Sequence, residues 1–150
     1  FDTILRQDLI DIEQVRDIPS IFLLVDLLRE RVGTPVSSAS LAQALGRDPK
    51  TITNWISVLE KLYVIFKVTP FSNNLKAVIK KEPKYYFFNV AEVENEAAKL
   101  ENIVALSLLK ELHSLEDTEG TRCGLFVLRT KTHQEIDFAI SINGTMRFLI

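Results

Sequence analysis

Apolar residues in this chain fall into two kinds of run. Some recur every three or four positions, others crowd into short stretches rich in β-branched and aromatic types, and their order predicts an α+β protein. Residues 1–17, FDTILRQDLIDIEQVRD, read as an amphipathic helix followed by a short acidic stretch, with Ile4, Leu5, Leu9, Ile10 and Ile12 apolar. Pro19 opens a strongly apolar helix that Gly33 closes. Ser37 or Ser38 then caps a short helix with Leu41 and Leu45 as its buried stripe and Gly46 as its left-handed exit. Asp48 and Pro49 start the next helix. The aspartate oxygen accepts from a free first-turn amide, and proline at the first helical position loses only a donor that had no partner. Ile52, Ile56 and Leu59, widened by Trp55 and Leu62, form the inward face.

Strands are expected at Ile65 to Pro70 and at Tyr85 to Asn89, where KYYFFN is rich in aromatic β-formers, with SNNLKAVIKKEP as the loop between them. A second unit begins near Val90. A helix over VENEAAKLENIVALSLLKELHSL precedes the loop EDTEGTR, and the strands GLFVLRT, EIDFAI and MRFLI follow, the last after the turn residues Asn143 and Gly144. The chain thus divides into a linker helix at 1–17, a helical unit with a strand hairpin at 18–90, and a helix-plus-strands unit at 91–150.

Residues 37–66 have the layout of a helix-turn-helix, and the strand pair behind it makes a winged version. Lys50, Thr51, Thr53, Asn54, Ser57 and Lys61 are left on the outer face of the second helix, the first five being types that reach phosphates or base edges. Net charge is only −2, but it is unevenly spread. Residues 33–84 hold eight bases against three acids, while residues 91–120 hold eight acids against two bases. In the basic block, Lys67, Lys76, Lys80, Lys81 and Lys84 stand where a wing meets the phosphate backbone, so double-stranded DNA is the expected partner. The plainer reading is that the lysines protect an exposed edge hairpin and the polar helix face is ordinary solvent surface.

With 150 residues and 47% apolar content the chain can bury a core. No stretch approaches the roughly 18 apolar residues of a membrane span, and Cys123 alone cannot form an internal disulfide; a cytoplasmic setting is expected. His113 and His133 are far apart and give no zinc spacing, so no structural metal is expected. A start in mid-pattern at Phe1 reads as an excised fragment.

Taken in order, DLIDIEQVRD, RVGTPVSSASLAQALGRDPKTITNWISVLEKLYVIFKVTPFSNN, KKEPKYYFFN, LENIVALSLLKEL and LRTKTHQEIDFAI resemble the C-terminal domain of unknown function that follows the AAA module in prokaryotic AAA-type ATPases. The resemblance covers nearly the whole chain and is strongest at KEPKYYFFN, LENIVA and the R-T-K and E-I-D-F pieces. It implies a winged helix-turn-helix followed by a truncated restriction-endonuclease-like α/β unit, with ATP and Mg²⁺ used by the parent protein. The P-loop pattern G-x-x-x-x-G-K-[ST] is absent, so ATP hydrolysis is not assigned to these residues and the ATPase module becomes an expected partner. For the nuclease-like unit the resemblance implies Glu101 and Asp137 as catalytic positions, with an E-x-K strand expected after Ile150. Glu135, two residues before Asp137, shares its strand face and is a candidate to share a Mg²⁺ ion with it. Two departures stand out: Asn89 replaces an expected aspartate, and KTHQ lacks the glycine of the expected hairpin. Three functions are therefore weighed: a DNA-binding and interaction region, a metal-dependent nuclease cut short before its E-x-K strand, and a homo-oligomerisation platform that leaves DNA alone.

Overall fold

A computed structural model describes Leu5, Leu9 and residues 17–71, 82–129 and 135–149; for Arg129, Glu135, Phe148 and Leu149 only the backbone is described. The expected wing loop, with Lys76, Lys80 and Lys81, lies outside the described residues, as does nearly all of the expected N-terminal helix.

Helix α1 spans Ile18–Arg29 and opens on Asp17, whose side chain accepts from the Ser20 amide at 3.3 Å. Its spacing turns Ile21, Leu24, Val25 and Leu28 inward. Helix α2, Ser38–Leu45, is capped by Ser37, which accepts from the Ser40 amide at 3.1 Å, and leaves through Gly46 at φ 62°. Helix α3, Pro49–Lys61, starts with Asp48 accepting from the Thr51 amide at 3.1 Å and buries Ile52, Trp55, Ile56, Val58 and Leu59. Arg47, in the turn, reaches back to Asp17 at 2.7 Å and to Ser20 at 3.0 Å, which ties the α2–α3 turn to the start of α1. Hydrogen bonding by Ser20, then the Arg47 guanidinium, hold the Asp17 carboxyl below its ordinary range.

Strand β1, Ile65–Pro70, pairs antiparallel with β2, Lys84–Phe87, in the register Phe66 opposite Tyr86. The second strand, expected at Tyr85 to Asn89, begins one residue earlier and ends two residues earlier, with Asn89 outside the ladder as the cap of a 3₁₀ turn, Val90–Glu92. The Asn89 side chain accepts from Ala91 at 3.2 Å and donates to Glu92 at 3.1 Å, work that the amide does and a carboxylate would do only in part. Helix α4, Glu96–Glu119, continues four residues past the expected boundary before Gly120 ends it. Strands β3, Cys123–Arg129, β4, Glu135–Ile142, and β5, Thr145–Leu149, form an antiparallel meander. Asn143 and Gly144, at φ 50° and 78°, make the two-residue β4–β5 turn, the positive pair that matches strand twist.

Hydrogen bonding joins all five strands into one mixed sheet of order β2-β1-β3-β4-β5, with β1 and β3 parallel through Thr69–Phe126 and Pro70–Val127. The sheet thus crosses residue 90, where the sequence places a unit boundary. Asn102, fully buried on α4, receives the Phe87 amide at 2.7 Å and donates to the Phe87 carbonyl at 2.8 Å, so it completes the end of β2 as a further strand would. One hydrophobic core runs from Leu5 and Leu9 through α1–α3 to Tyr86, Ala105, Val127 and Phe138.

Candidate functional site

Two polar surfaces emerge from this frame. The first is the outer side of α3. Lys50, Thr53, Asn54, Ser57 and Lys61 are exposed and Thr51 is half-buried, while every apolar residue of the helix interior faces the core. The expected face therefore points to solvent along about three turns. Two members are committed locally. Thr51 lies against the Asp48 cap, and Thr53 Oγ1 lies 2.9 Å from the Pro49 carbonyl and 3.2 Å from Ser38 Oγ, which ties the two helices at the turn. Lys50, Asn54 and Ser57 keep their side-chain polar groups toward solvent on successive turns of the helix. Lys67, further along, pairs with Glu60 at 3.0 Å.

Lys84 overturns its assignment to the wing surface. It is 3% exposed, and its ammonium sits 3.2 Å from Glu101 Oε1 and 3.0 Å from Asp137 Oδ1. The Tyr86 hydroxyl donates to the same Glu101 oxygen at 2.7 Å. Strand alternation explains the grouping: Lys84 and Tyr86 are two residues apart and share one face of β2, whereas Tyr85 points the other way. Burial, then the charge of Glu60, push the Tyr85 hydroxyl up to about 12. Glu101 also covers Gly33, where a Cβ would stand 2.7 Å from Oε2; that contact together with φ at 72° favours glycine at this position.

The structure thus brings Glu101 and Asp137 to one point, around a lysine from β2. Carboxylate oxygens are the ligands a hard cation takes, so the donor type fits Mg²⁺, yet both carboxylates already share the Lys84 ammonium. Among the described residues no group of three or more His, Cys, Asp or Glu could hold a metal ion, and the Glu135 side chain is outside that set. Elsewhere, burial followed by the charges of Glu116 and Glu119 pushes the Cys123 thiol above its ordinary range.

Lys84, Tyr86 and Asn102 are the polar residues that sequence reasoning missed. No alternation marks Lys84 or Tyr86, since all four residues of β2 are buried, whereas Asn102 shares helical spacing on one face with Ala105 and Leu112. Among the described residues no helix is long and apolar enough to cross a membrane. Residues 1–103 match the family model described as Domain of unknown function (DUF8612), and the chain belongs to that family. No curated protein and no solved structure matches it.

Proposed function

We propose that this member of the family is a DNA-binding and interaction region, carried at the C-terminal end of a prokaryotic AAA-type ATPase, that grips duplex DNA with the outer side of α3. The observation that carries this reading is the division of α3: its whole apolar stripe is buried, and Lys50, Asn54 and Ser57 stand exposed beside a helix start capped by Asp48. A helix presented this way suits the major groove, where an amide side chain pairs with adenine and lysine meets phosphate or guanine. The lysines at 76, 80 and 81 follow in sequence and add positive charge suited to phosphate contact. The resemblance to the C-terminal region of AAA-type ATPases supplies the parent protein and its ATP and Mg²⁺.

The experiment is fluorescence anisotropy of a labelled duplex titrated with the chain at several salt concentrations. Affinity should fall linearly in log–log form as salt rises, and the double substitution Lys80→Glu, Lys81→Glu should weaken it further with little change in stability. A flat, salt-independent absence of binding removes this reading and leaves the oligomerisation platform.

A second reading, a Mg²⁺-dependent nuclease site, draws on the meeting of Glu101, Asp137 and Lys84 at one point. Bound Mg²⁺ would polarise a scissile phosphate there. Glu101 and Asp137 would hold the ion, and Lys84 would balance their charge and orient them. Duplex cleavage that requires Mg²⁺ or Mn²⁺ and disappears in Asp137→Ala supports it; an inert chain with both ions present rejects it.

A further inference from the structure

Helix α4 is the longest helix among the described residues, yet within its 24 residues only Asn102, Ala105 and Leu112 are fully buried. Its apolar residues do not all face the sheet. Leu100 is 64% exposed and Ile103 41%, and at the same three-residue step Leu106 and Leu109 follow, half-buried. Steps of three make a ridge that winds obliquely across a helix surface, the geometry that a second helix packs against. The ridge runs into a groove of about 650 Å³ whose lining includes Phe88, Leu106, Leu109, Lys110 and His113. Tyr63, 72% exposed and set edge-on to Phe88 at 5.5 Å between ring centroids, extends the apolar surface past the groove.

Charge decides what fits there. Helix α4 carries six acids against two lysines; Glu101 is taken up by Lys84 and Glu116 by the Cys123 amide, while Glu111, Asp117 and Glu119 remain. In the neighbouring depression at its start, where Arg29 pairs with Asp26 and Glu92, Glu30 and Glu94 add to them. A second copy docking α4 on α4 would set these acids against each other, at a cost that repulsion between like charges imposes on any such pairing. We propose that the Leu100–Leu109 ridge and the groove beside Phe88 receive a basic amphipathic helix of a partner polypeptide, its apolar side on the ridge and its lysines or arginines facing the acids of α4. The residues of this surface are different from those of the α3 face, so the same chain can hold DNA with one set and a protein with the other.

The test uses a fluorescein-labelled model peptide of leucine and lysine in helical pattern, about 18 residues or five turns long, beside the same peptide with glutamate in each lysine position. The lysine peptide should bind the full chain, lose affinity as salt rises, and lose about tenfold on Leu100→Ser with Ile103→Ser, both exposed positions whose loss removes apolar contact while the fold persists. The single Ile103→Arg should give a similar loss, which covers a double variant that misfolds. Equal binding of both peptides, or unchanged affinity in both variants, overturns the proposal. So does sedimentation of the chain alone as a dimer that the double variant dissolves, because the ridge then belongs to a second copy.

Discussion

The helix-turn-helix and the Lys84 cluster are built from opposite kinds of contact. Ser37 to Ser40 and Asp48 to Thr51 are bonds between residues three apart, whereas Lys84 meets Glu101 across 17 positions and Asp137 across 53. Local caps set the ends of α2 and α3 through contacts within a single helical turn. The cluster exists only when β2, α4 and β4 are already assembled, so it reports whether the hairpin behind α3 and the later strands are joined. Damage to the first region should loosen one helix pair through its core, and damage to the second should loosen the join between two halves of the sheet.

The largest effect should come from Trp55→Ala. Trp55 is 8% exposed on the inward face of α3, and truncating a buried aromatic costs about 3–5 kcal/mol, read from the denaturant midpoint. Duplex binding would fall with the fold. An unchanged midpoint would mean that α3 presents a different face to the core than its caps and spacing require.

On the other side of the comparison, Asn102→Ala should cost about 2–4 kcal/mol, because it leaves both the amide and the carbonyl of Phe87 buried without their partner. Hydrogen exchange should then accelerate at β2 and α4 before it does at α2. Uniform acceleration throughout the chain would show that the two regions unfold as one.

The cluster itself should respond asymmetrically. Glu101→Ala removes one of the two carboxylates beside a 3%-exposed ammonium, and should cost about 3 kcal/mol, since a buried charge then loses compensation. Lys84→Met should cost only about 1 kcal/mol, because the carboxylates it leaves are 27% and 58% exposed and water reaches both. Equal losses in thermal melts would mean that the cluster is solvated in solution.

This contrast also decides what the chain discloses in advance. Ser37, Gly46, Asp48 and Pro49 announce the turn because each acts on neighbours within one helical turn, and Asn143 with Gly144 announces the last hairpin for the same reason. The α+β class and the strand positions follow equally from local pattern. Lys84 escaped because its neighbours Lys80, Lys81 and Glu82 look like a solvated run, and nothing local marks the partner strand carrying Asp137. The single sheet escaped because the parallel β1–β3 pairing joins segments with the whole of α4 between them. Glu101 and Asp137 came from family resemblance; the lysine that unites them came only from the fold.

Alkaline pH probes the face of β2 opposite the cluster. With the Tyr85 hydroxyl raised from 10.0 to about 12, the folded state favours its neutral form. The stability this represents is fully present below pH 10 and is lost as pH rises from 10 through 12, by about 2 kcal/mol at the upper end. Tyr85→Phe should flatten that part of the pH profile relative to the parent, with chemical denaturation at each pH as the measurement. An identical decline in both proteins assigns the alkaline loss to other groups.

The smallest effect on stability belongs to the α3 surface, where function should change instead. Lys50→Ala and Asn54→Ala replace exposed side chains, so each should move stability by no more than about 0.5 kcal/mol. Their effects on DNA should differ in kind. Loss of the Lys50 charge should weaken all duplexes alike and lower the salt slope by about one counterion. Loss of the Asn54 amide should leave the slope intact and narrow the gap between preferred and random duplexes, because an amide reads a base edge rather than a phosphate. If Asn54→Ala changes the slope and Lys50→Ala changes the preference, then α3 lies along the backbone instead of in the groove, and the two residues exchange roles.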